Sequence, residues 1–459
     1  MTAAELLERL RAEVPGATVL TDAATIASRA GDSSGVPGDP GALAVVRPST
    51  TGDVAAVLAA ANQARVPVVA QGTLTGLAGG ANAVPGALLL DLSGMNRILQ
   101  IDEAERIAVV QPGVIVADLQ AAATERGLFY APDPASADRA TIGGTVATNA
   151  GGMRAVKYGV TRESVRSLEV VLADGSVLRT RRNTIKSVAG LDLTGLVVGS
   201  EGTLAIITEI TLTLLPAPAT ARGVAATFPD VATALAAATA VSTGRNLPTT
   251  LELLDGVALQ AIRAHLPHLP LPDDAQAWLL AITDTRAGAE AELTSFEQAF
   301  RQHGALTVQR ADSAAELDEL LQARRALSPA LRALRGSSLN GDITVPRARL
   351  PEFEERLERL ADELDVVISV GGHVGDGNLH PVIAYDGDDP RQTGSARLAH
   401  ERILRLAQEL GGSMTGEHGV GVDKLSELDG ELSARVRELQ RSIKAVFDPN
   451  GILNPGKKY

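Results

Sequence analysis

Seven histidines are the whole imidazole stock of this chain of 459 residues, which has no cysteine. Two of them, His373 and His380, flank Asp376 and Asn378 in the glycine-rich run GGHVGDGNLHP that begins at Gly371. A third, His418, follows Glu417 in a second glycine-rich run, TGEHGVGVDK from Thr415. Two imidazoles and one carboxylate suit zinc or a similar divalent ion and leave coordination positions open for substrate oxygens. On residue types alone the alternative stands beside it: satisfied histidines of a core or a surface. His265, His268, His303 and His400 fall on predicted helices or linkers and read as surface residues. The absence of cysteine removes disulfides, thiolate metal sites, iron–sulfur clusters and cysteine nucleophiles, and it fits a reducing, cytoplasmic setting.

A second kind of chemistry is written in glycine. The 45 glycines crowd into QGTLTGLAGGA from Gln71, TIGGTVATNAGG from Thr141, GSEGT from Gly199 and the two histidine-bearing runs, a pattern that suggests several loops converging on one ligand. The first loop follows the apolar run VPVVA; its glycines let successive backbone N–H groups turn into one concavity for anionic oxygens, and Thr73 and Thr75 add hydroxyl donors. It matches neither the GxGxxG fingerprint nor the Walker loop, and a tightly packed turn is the competing interpretation. The second stretch, PDPASADRATIGGTVATNAGGMRAVKYG from Pro132, has side chains too small to build a core, so its backbone is expected to lie against something flat or phosphorylated.

The elements that must hold these loops show in the hydrophobic pattern. ALAVVRP, VPVVA, ALLLDL and RIAVVQPG are short β-rich runs bounded by Pro or Gly, and DVAAVLAAANQAR and VADLQAAATERG have helical spacing, so the first half alternates strands with helices. ITEITLTLLPAP, from Ile207, reads as a strand ending at a boundary. Beyond it the order is VAATF, a helix from Asp230 to Ser242, WLLAIT, a helix from Gly288 to His303, LTVQR, a helix from Ser313 to Leu334, DITVP, a helix from Leu350 to Leu364, and then the histidine-bearing strands. Helices on an antiparallel sheet are the economical arrangement. MTAAELLERLRAEVPGA reads as a short amphipathic helix, unlike a secretory signal, and the Ala-rich run from Val231 is too short to span a membrane.

Composition narrows the partners. Aromatic residues make up 2% and the net charge is −13, so stacking platforms for bases are scarce and polyphosphate or anionic lipid is repelled; no nucleic acid and no transmembrane segment are expected.

Taken together, the two loops, GSEGTLAIITEITLTLLP and FDPNGILNPGK from Phe447 resemble the FAD-binding domain of the vanillyl-alcohol-oxidase-type flavoproteins, and GGHVGDGNLHP with TGEHGVGVDK is similar to their D-2-hydroxy-acid dehydrogenase branch. That branch includes D-lactate dehydrogenases, glycolate oxidase FAD subunits and D-2-hydroxyglutarate dehydrogenases. The resemblance runs over about residues 40 to 457. It implies an α+β chain: an N-terminal helical segment 1–39, a two-subdomain FAD-binding domain 40–215, a ferredoxin-like antiparallel α+β cap 216–435, and a C-terminal return, 436–459, to the FAD domain.

Residue by residue, the resemblance places the pyrophosphate loop on Gln71, Gly72, Thr73, Leu74, Thr75 and Gly76, with Leu74 where the family commonly has Gly. The flavin-facing segment falls on Ser136, Thr141, Gly143, Gly144, Thr148, Asn149, Gly151 and Gly152, followed by Glu201, Gly202 and Ile207, and Asn454 returns from the C-terminus. No histidine precedes His265, so FAD is expected to be non-covalent. His373, His380 and Glu417 match the family's ligands for a divalent metal, zinc or manganese, and His418 its catalytic base. Imidazole suits the removal of a hydroxyl proton near neutral pH. QARRALSPAL matches the segment with a substrate-binding Arg, placed on Arg324 with Arg325 beside it; Asn378 joins the substrate set. Leu321 stands where the family often has Trp, and Asn340 where some dicarboxylate-acting members have Lys, which argues against 2-hydroxyglutarate.

The expected activity is oxidation of a small D-2-hydroxy acid, such as D-lactate or glycolate, to the 2-oxo acid, with electrons passing to an external quinone, flavoprotein, cytochrome or oxygen. A homodimer is compatible with this. Two alternatives remain open at this level: an FAD-binding subunit of a multi-chain glycolate-oxidising complex, and a transferase like alkyl-glycerone-phosphate synthase.

Overall fold

In the computed structural model, which describes residues 1–269 and 271–459, two units form: Met1–Gly152 with Gly159–Ala217 and Glu417–Tyr459, and Met153–Tyr158 with Pro218–Gly416. Residues 417–435, expected with the cap, thus fall in the first unit, and so does the N-terminal segment 1–39.

The first unit carries two sheets. One orders its strands Thr18–Leu20, Ala44–Arg47, Leu88–Asp91, Val68–Gln71, and the last three are parallel. Parallel strands are covered on both faces and so read as continuous apolar runs; LLLD of Leu88–Asp91 is buried throughout. The crossover helix Thr51–Ala64 begins at a capping box between Thr50 and Asp53 and ends at Arg65, whose φ of 54° stops the helix. It buries Val54, Val57 and Leu58 in the same core as Leu6 and Leu10 of the amphipathic helix Ala3–Glu13. The other sheet is antiparallel, in the order Ile98–Asp102, Ile107–Val110, Ile206–Thr213, Val165–Val171, Val177–Arg179.

The C-terminal segment belongs to this unit through its backbone. Val68 N–H donates to Ile452 O (2.8 Å) and Asn454 N–H to Val68 O (2.9 Å), which lays the tail beside the strand that leads into the loop Gly72 to Gly76. In the helix before it, Ala434–Phe447, Leu439 is 48% and Val446 78% exposed. Lys444 fixes its end instead, donating to Thr203 O, Leu453 O and Asp448 Oδ2. A chain ending at Phe447 is expected to lose its bound FAD, read as the ratio of flavin to protein absorbance. Full retention of FAD would show that the tail does not support the cofactor loops.

The second unit is an antiparallel sheet in the order Thr307–Ala311, Arg222–Phe228, Ala277–Thr283, Thr250–Asp255, Val367–His373, Asn378–Tyr385, Ser337–Asn340, with Ile343–Thr344 also paired to Asn378–Tyr385. Helices including Val231–Ser242, Gly256–His265, Ala314–Arg325 and Leu350–Leu364 pack on it, the α+β arrangement expected. Of the longer elements here, the hydrophobic pattern missed two strands, Thr250–Asp255 and Ser337–Asn340, and two helices, Gly256–His265 and Pro390–Glu409, and it read Ala314–Arg325 and Leu327–Arg335 as one helix. TLELLD is a fully buried run of six residues carrying two acids, so neither alternation nor a clean apolar block marks it. Among the histidines read as surface groups, His265 and His268 are exposed, whereas the ring nitrogens of His400 are shielded within the helix Pro390–Glu409.

One acidic pair in this unit makes a prediction. Asp255 accepts from Ala258 N–H, Ser369 Oγ and Val370 N–H, and burial pushes its carboxyl up to about 6 despite those bonds. Glu354, on the helix Leu350–Leu364, is pushed up to about 8, by burial first and then by Asp255 and Glu358, and its Oε1 has no hydrogen-bond partner. A carboxyl whose folded pKa lies above its unfolded value binds protons more tightly when folded, so its contribution is complete below the unfolded pKa and is lost as pH rises through 8. Glu354→Gln is therefore expected to raise Tm at pH 8 and to flatten its fall between pH 5 and 8.5. Parallel Tm profiles for the two chains would contradict this.

Candidate active site

The first unit contains a cavity of about 370 Å³, lined by Gly72 to Ala78, by Ser136, Thr141, Gly144, Thr148 and Gly151, by Glu201 and Gly202, and by Glu417 and His418. Fourteen of the predicted residues thus share one concavity, drawn from four sequence segments.

The loop Gln71 to Gly76, expected to hold pyrophosphate, is organised from beneath. Gln71 Nε2 donates to Arg29 O (2.9 Å) and Ala81 O (2.8 Å), while Arg29 donates through Nε to Gln71 Oε1 (3.0 Å) and through Nη2 to Gly72 O (2.7 Å). Asp91, 1% exposed, pairs with Arg29 at 3.1 Å and with Arg47 at 2.8 Å. The amides of Thr73, Leu74, Thr75 and Gly76 find no acceptor among the described residues. Four successive unpaired amides beside a cavity fit a pyrophosphate. Gly72 is required because a Cβ there would stand 2.4 Å from Thr141 Oγ1. Leu74 has a φ of 61°, the left-handed region where a side chain costs about 1 kcal/mol or more. The backbone therefore keeps the conformation that glycine favours.

The remaining predicted residues of this unit support the lining from behind. Gln71 is buried under the loop, Gly143 lies against Pro112, and Gly152 against Asp133. Asn149 ends the helix Ile142–Thr148 at φ 57° and accepts from Arg162 N–H; Ile207 is buried in its strand. Asn454 donates through Nδ2 to Gly80 O (2.9 Å) and Glu201 O (2.7 Å). The Glu201 carboxylate accepts from Val420 N–H (2.9 Å), Gly421 N–H (2.7 Å) and Lys458 Nζ (3.1 Å), so it ties the Glu417–His418 loop and the tail to the cavity wall. Glu417 Oε1 stands 4.0 Å from His418 Nε2.

In the second unit His373 ends the strand Val367–His373 and faces Asn378 across a hairpin, with His380 opposite Gly371. Gly377 makes the turn at φ 85°, and a Cβ there would sit 2.3 Å from Val345 O. The register brings the two imidazoles together: their Nε2 atoms are 3.4 Å apart and their planes 86° from parallel. Two zinc–nitrogen bonds of about 2.0–2.1 Å meeting at a tetrahedral angle span about 3.3–3.4 Å, so the donor pair fits a divalent cation.

Behind His373 stands Glu252, wholly buried, with Oε1 at 2.6 Å from His373 Nδ1 and Oε2 at 2.5 Å from Arg324 Nε. Burial alone would raise this carboxyl, but its hydrogen-bonding partners His373 and Arg324 hold it below the usual carboxylate range. Arg324, predicted for substrate, thus commits its Nε to Glu252; Arg325 pairs with Asp318 on the exposed face. Asn378 is 8% exposed, and its Oδ1 is buried without a hydrogen-bond partner, an acceptor available to a ligand hydroxyl. Asp342, fully buried, accepts from Thr415 Oγ1 and Gly416 N–H and lies within 4.8 Å of a His380 ring nitrogen. Sequence reasoning missed Arg29, Asp91, Glu252 and Asp342. Only Glu252 left a trace, an acid in the middle of an apolar run.

Comparison with known proteins agrees with these features. Residues 217–458 match the C-terminal domain of FAD linked oxidases, and residues 42–181 match an FAD binding domain. The chain is 39% identical to "Glycolate oxidase subunit GlcD" of Bacillus subtilis, over 91% of this chain and 88% of that protein. It is 38% identical to "D-lactate dehydrogenase" of Archaeoglobus fulgidus, over 90% of each. Among solved structures, an alkyldihydroxyacetonephosphate synthase superposes with a TM-score of 0.78, covering 99% of this chain and 85% of that one at 18% identity, a likeness of fold. Cavity, loops and matched domains agree: the chain belongs to the FAD-linked oxidases and is an FAD-linked oxidoreductase.

Proposed function

We propose that the chain oxidises a small D-2-hydroxy acid, of the D-lactate or glycolate kind, to the 2-oxo acid with non-covalent FAD and a divalent cation. The observation that carries this is the His373–His380 pair, held at a cation-binding separation in a chain of this family. The two relatives named above, a glycolate oxidase subunit and a D-lactate dehydrogenase, support the substrate class.

In this reading Gln71 to Gly76, the Ser136 to Gly152 segment, Glu201, Gly202, Ile207 and Asn454 hold FAD, which supplies the acceptor for the hydride from C2. His373, His380 and Glu417 hold the cation, which supplies Lewis acidity toward the substrate's hydroxyl and carboxylate oxygens. His418 takes the hydroxyl proton onto a ring nitrogen as the C2 hydrogen leaves with its electron pair, so that one C–H and one O–H bond break and one C=O forms. The Arg324 Nη groups, left over once Nε bonds Glu252, receive the substrate carboxylate, and Asn378 belongs to the substrate set beside them. Among the described residues no helix is long and apolar enough to cross a membrane. Electrons go on to an external acceptor, a quinone, flavoprotein, cytochrome or oxygen.

The test is a stopped-flow screen of 2-hydroxy acids for bleaching of the bound flavin, which requires no knowledge of that acceptor. Bleaching by a D-2-hydroxy acid and not by its L enantiomer is expected. Failure of the isolated chain to be reduced by any 2-hydroxy acid would overturn the assignment.

A further inference from the structure

We propose that Glu252 is a positioning residue that locks His373 in the tautomer carrying its proton on Nδ1, so that Nε2 is presented as a ligand. This inference rests on the divalent-cation reading above and adds a residue to it.

Strand register makes the arrangement possible. Leu253 pairs with Gly372 and Leu254 with Gly371, which brings Glu252 opposite His373 across the two strands. A carboxylate removed from water is strongly disfavoured unless its charge and both oxygens are satisfied. Two different groups satisfy Glu252. Arg324 Nε at 2.5 Å from Oε2 supplies the positive charge, and His373 Nδ1 at 2.6 Å from Oε1 supplies the second donor. Because the guanidinium balances the charge, a neutral imidazole is sufficient at Oε1, provided its proton sits on Nδ1. The other nitrogen, Nε2, then holds a lone pair, and it lies 3.4 Å from His380 Nε2. The carboxylate is fixed by its strand and by Arg324, so it sets both the tautomer and the ring orientation. Asp342, the other fully buried acid here, lies by His380.

Glu252→Gln is the discriminating change. An amide presents one acceptor and one donor to two donors, His373 Nδ1–H and Arg324 Nε–H, so one of them loses its partner and the tautomer is no longer imposed. FAD-loaded, metal-stripped chains are titrated with Zn²⁺ alone by equilibrium dialysis. Wild type is expected to bind one Zn²⁺ per chain, and Glu252→Gln to bind about 10–100-fold more weakly with unchanged FAD content. A Glu252→Gln affinity within threefold of wild type overturns the inference while leaving the cation reading intact; failure of wild type to bind Zn²⁺ overturns both. A second measurement does not depend on the variant folding. Long-range ¹⁵N–¹H correlation of the metal-free wild type is expected to show His373 protonated at Nδ1. A proton on Nε2 in that spectrum overturns the inference.

Discussion

Replacing His418 by Ala is expected to slow substrate-driven flavin reduction by about 10²–10⁴-fold, the range of a lost general base, or roughly 3–5.5 kcal/mol of barrier. His418 lines the same cavity as the pyrophosphate loop, beside Glu417 at 4.0 Å. The loop that carries it is held by the Glu201 carboxylate through Val420 and Gly421, groups that the substitution leaves alone. FAD content and cation content are therefore expected to match wild type, which separates loss of the proton acceptor from loss of the site. Single-turnover reduction, with absorbance and metal analysis on the same samples, reads all three. A His418→Ala chain that reduces its flavin at the normal rate removes the base from this residue.

Stripping the cation is expected to act on reduction and spare the cofactor. Of the three proposed ligands, His373 and His380 belong to the second unit, whereas Glu417 and the loops that would hold FAD belong to the first. A Lewis acid on the hydroxyl and carboxylate oxygens is worth several kcal/mol, so a chelator is expected to slow reduction by about 10²-fold or more, with recovery on adding Zn²⁺ or Mn²⁺. His380→Ala is expected to reproduce the chelated state irreversibly: no cation, full FAD, slow reduction. The comparison with His418→Ala is decisive, because only one of the two variants loses metal. If both keep their metal and reduce normally, the imidazoles pack and do not catalyse.

Sequence patterns alone determined a good deal. The runs VPVVA, ALLLDL and RIAVVQPG became strands and DVAAVLAAANQAR a helix, because apolar periodicity is set by which face each element buries. The glycine loops were legible as segments that converge, and they line one cavity, since small residues clustered beside strands leave backbone amides unpaired. His373 and His380 stood out because so few imidazoles compete with them.

What the tertiary structure alone decided is which groups hold those residues in place. Glu252 lies 121 residues from His373, and Arg324 lies 72 from Glu252, so their network exists only once strand register is set. Arg29 reaches the loop Gln71 to Gly76, and Asp91 pairs with Arg29, from segments that show no motif. The helix Ala434–Phe447 gives the converse case: Leu439, Ile443 and Val446 lie at helical spacing, and the structure leaves Leu439 and Val446 exposed. Periodicity records a face that one element prefers to cover, whereas long-range charge pairing and the actual covering depend on what the rest of the chain brings to that face.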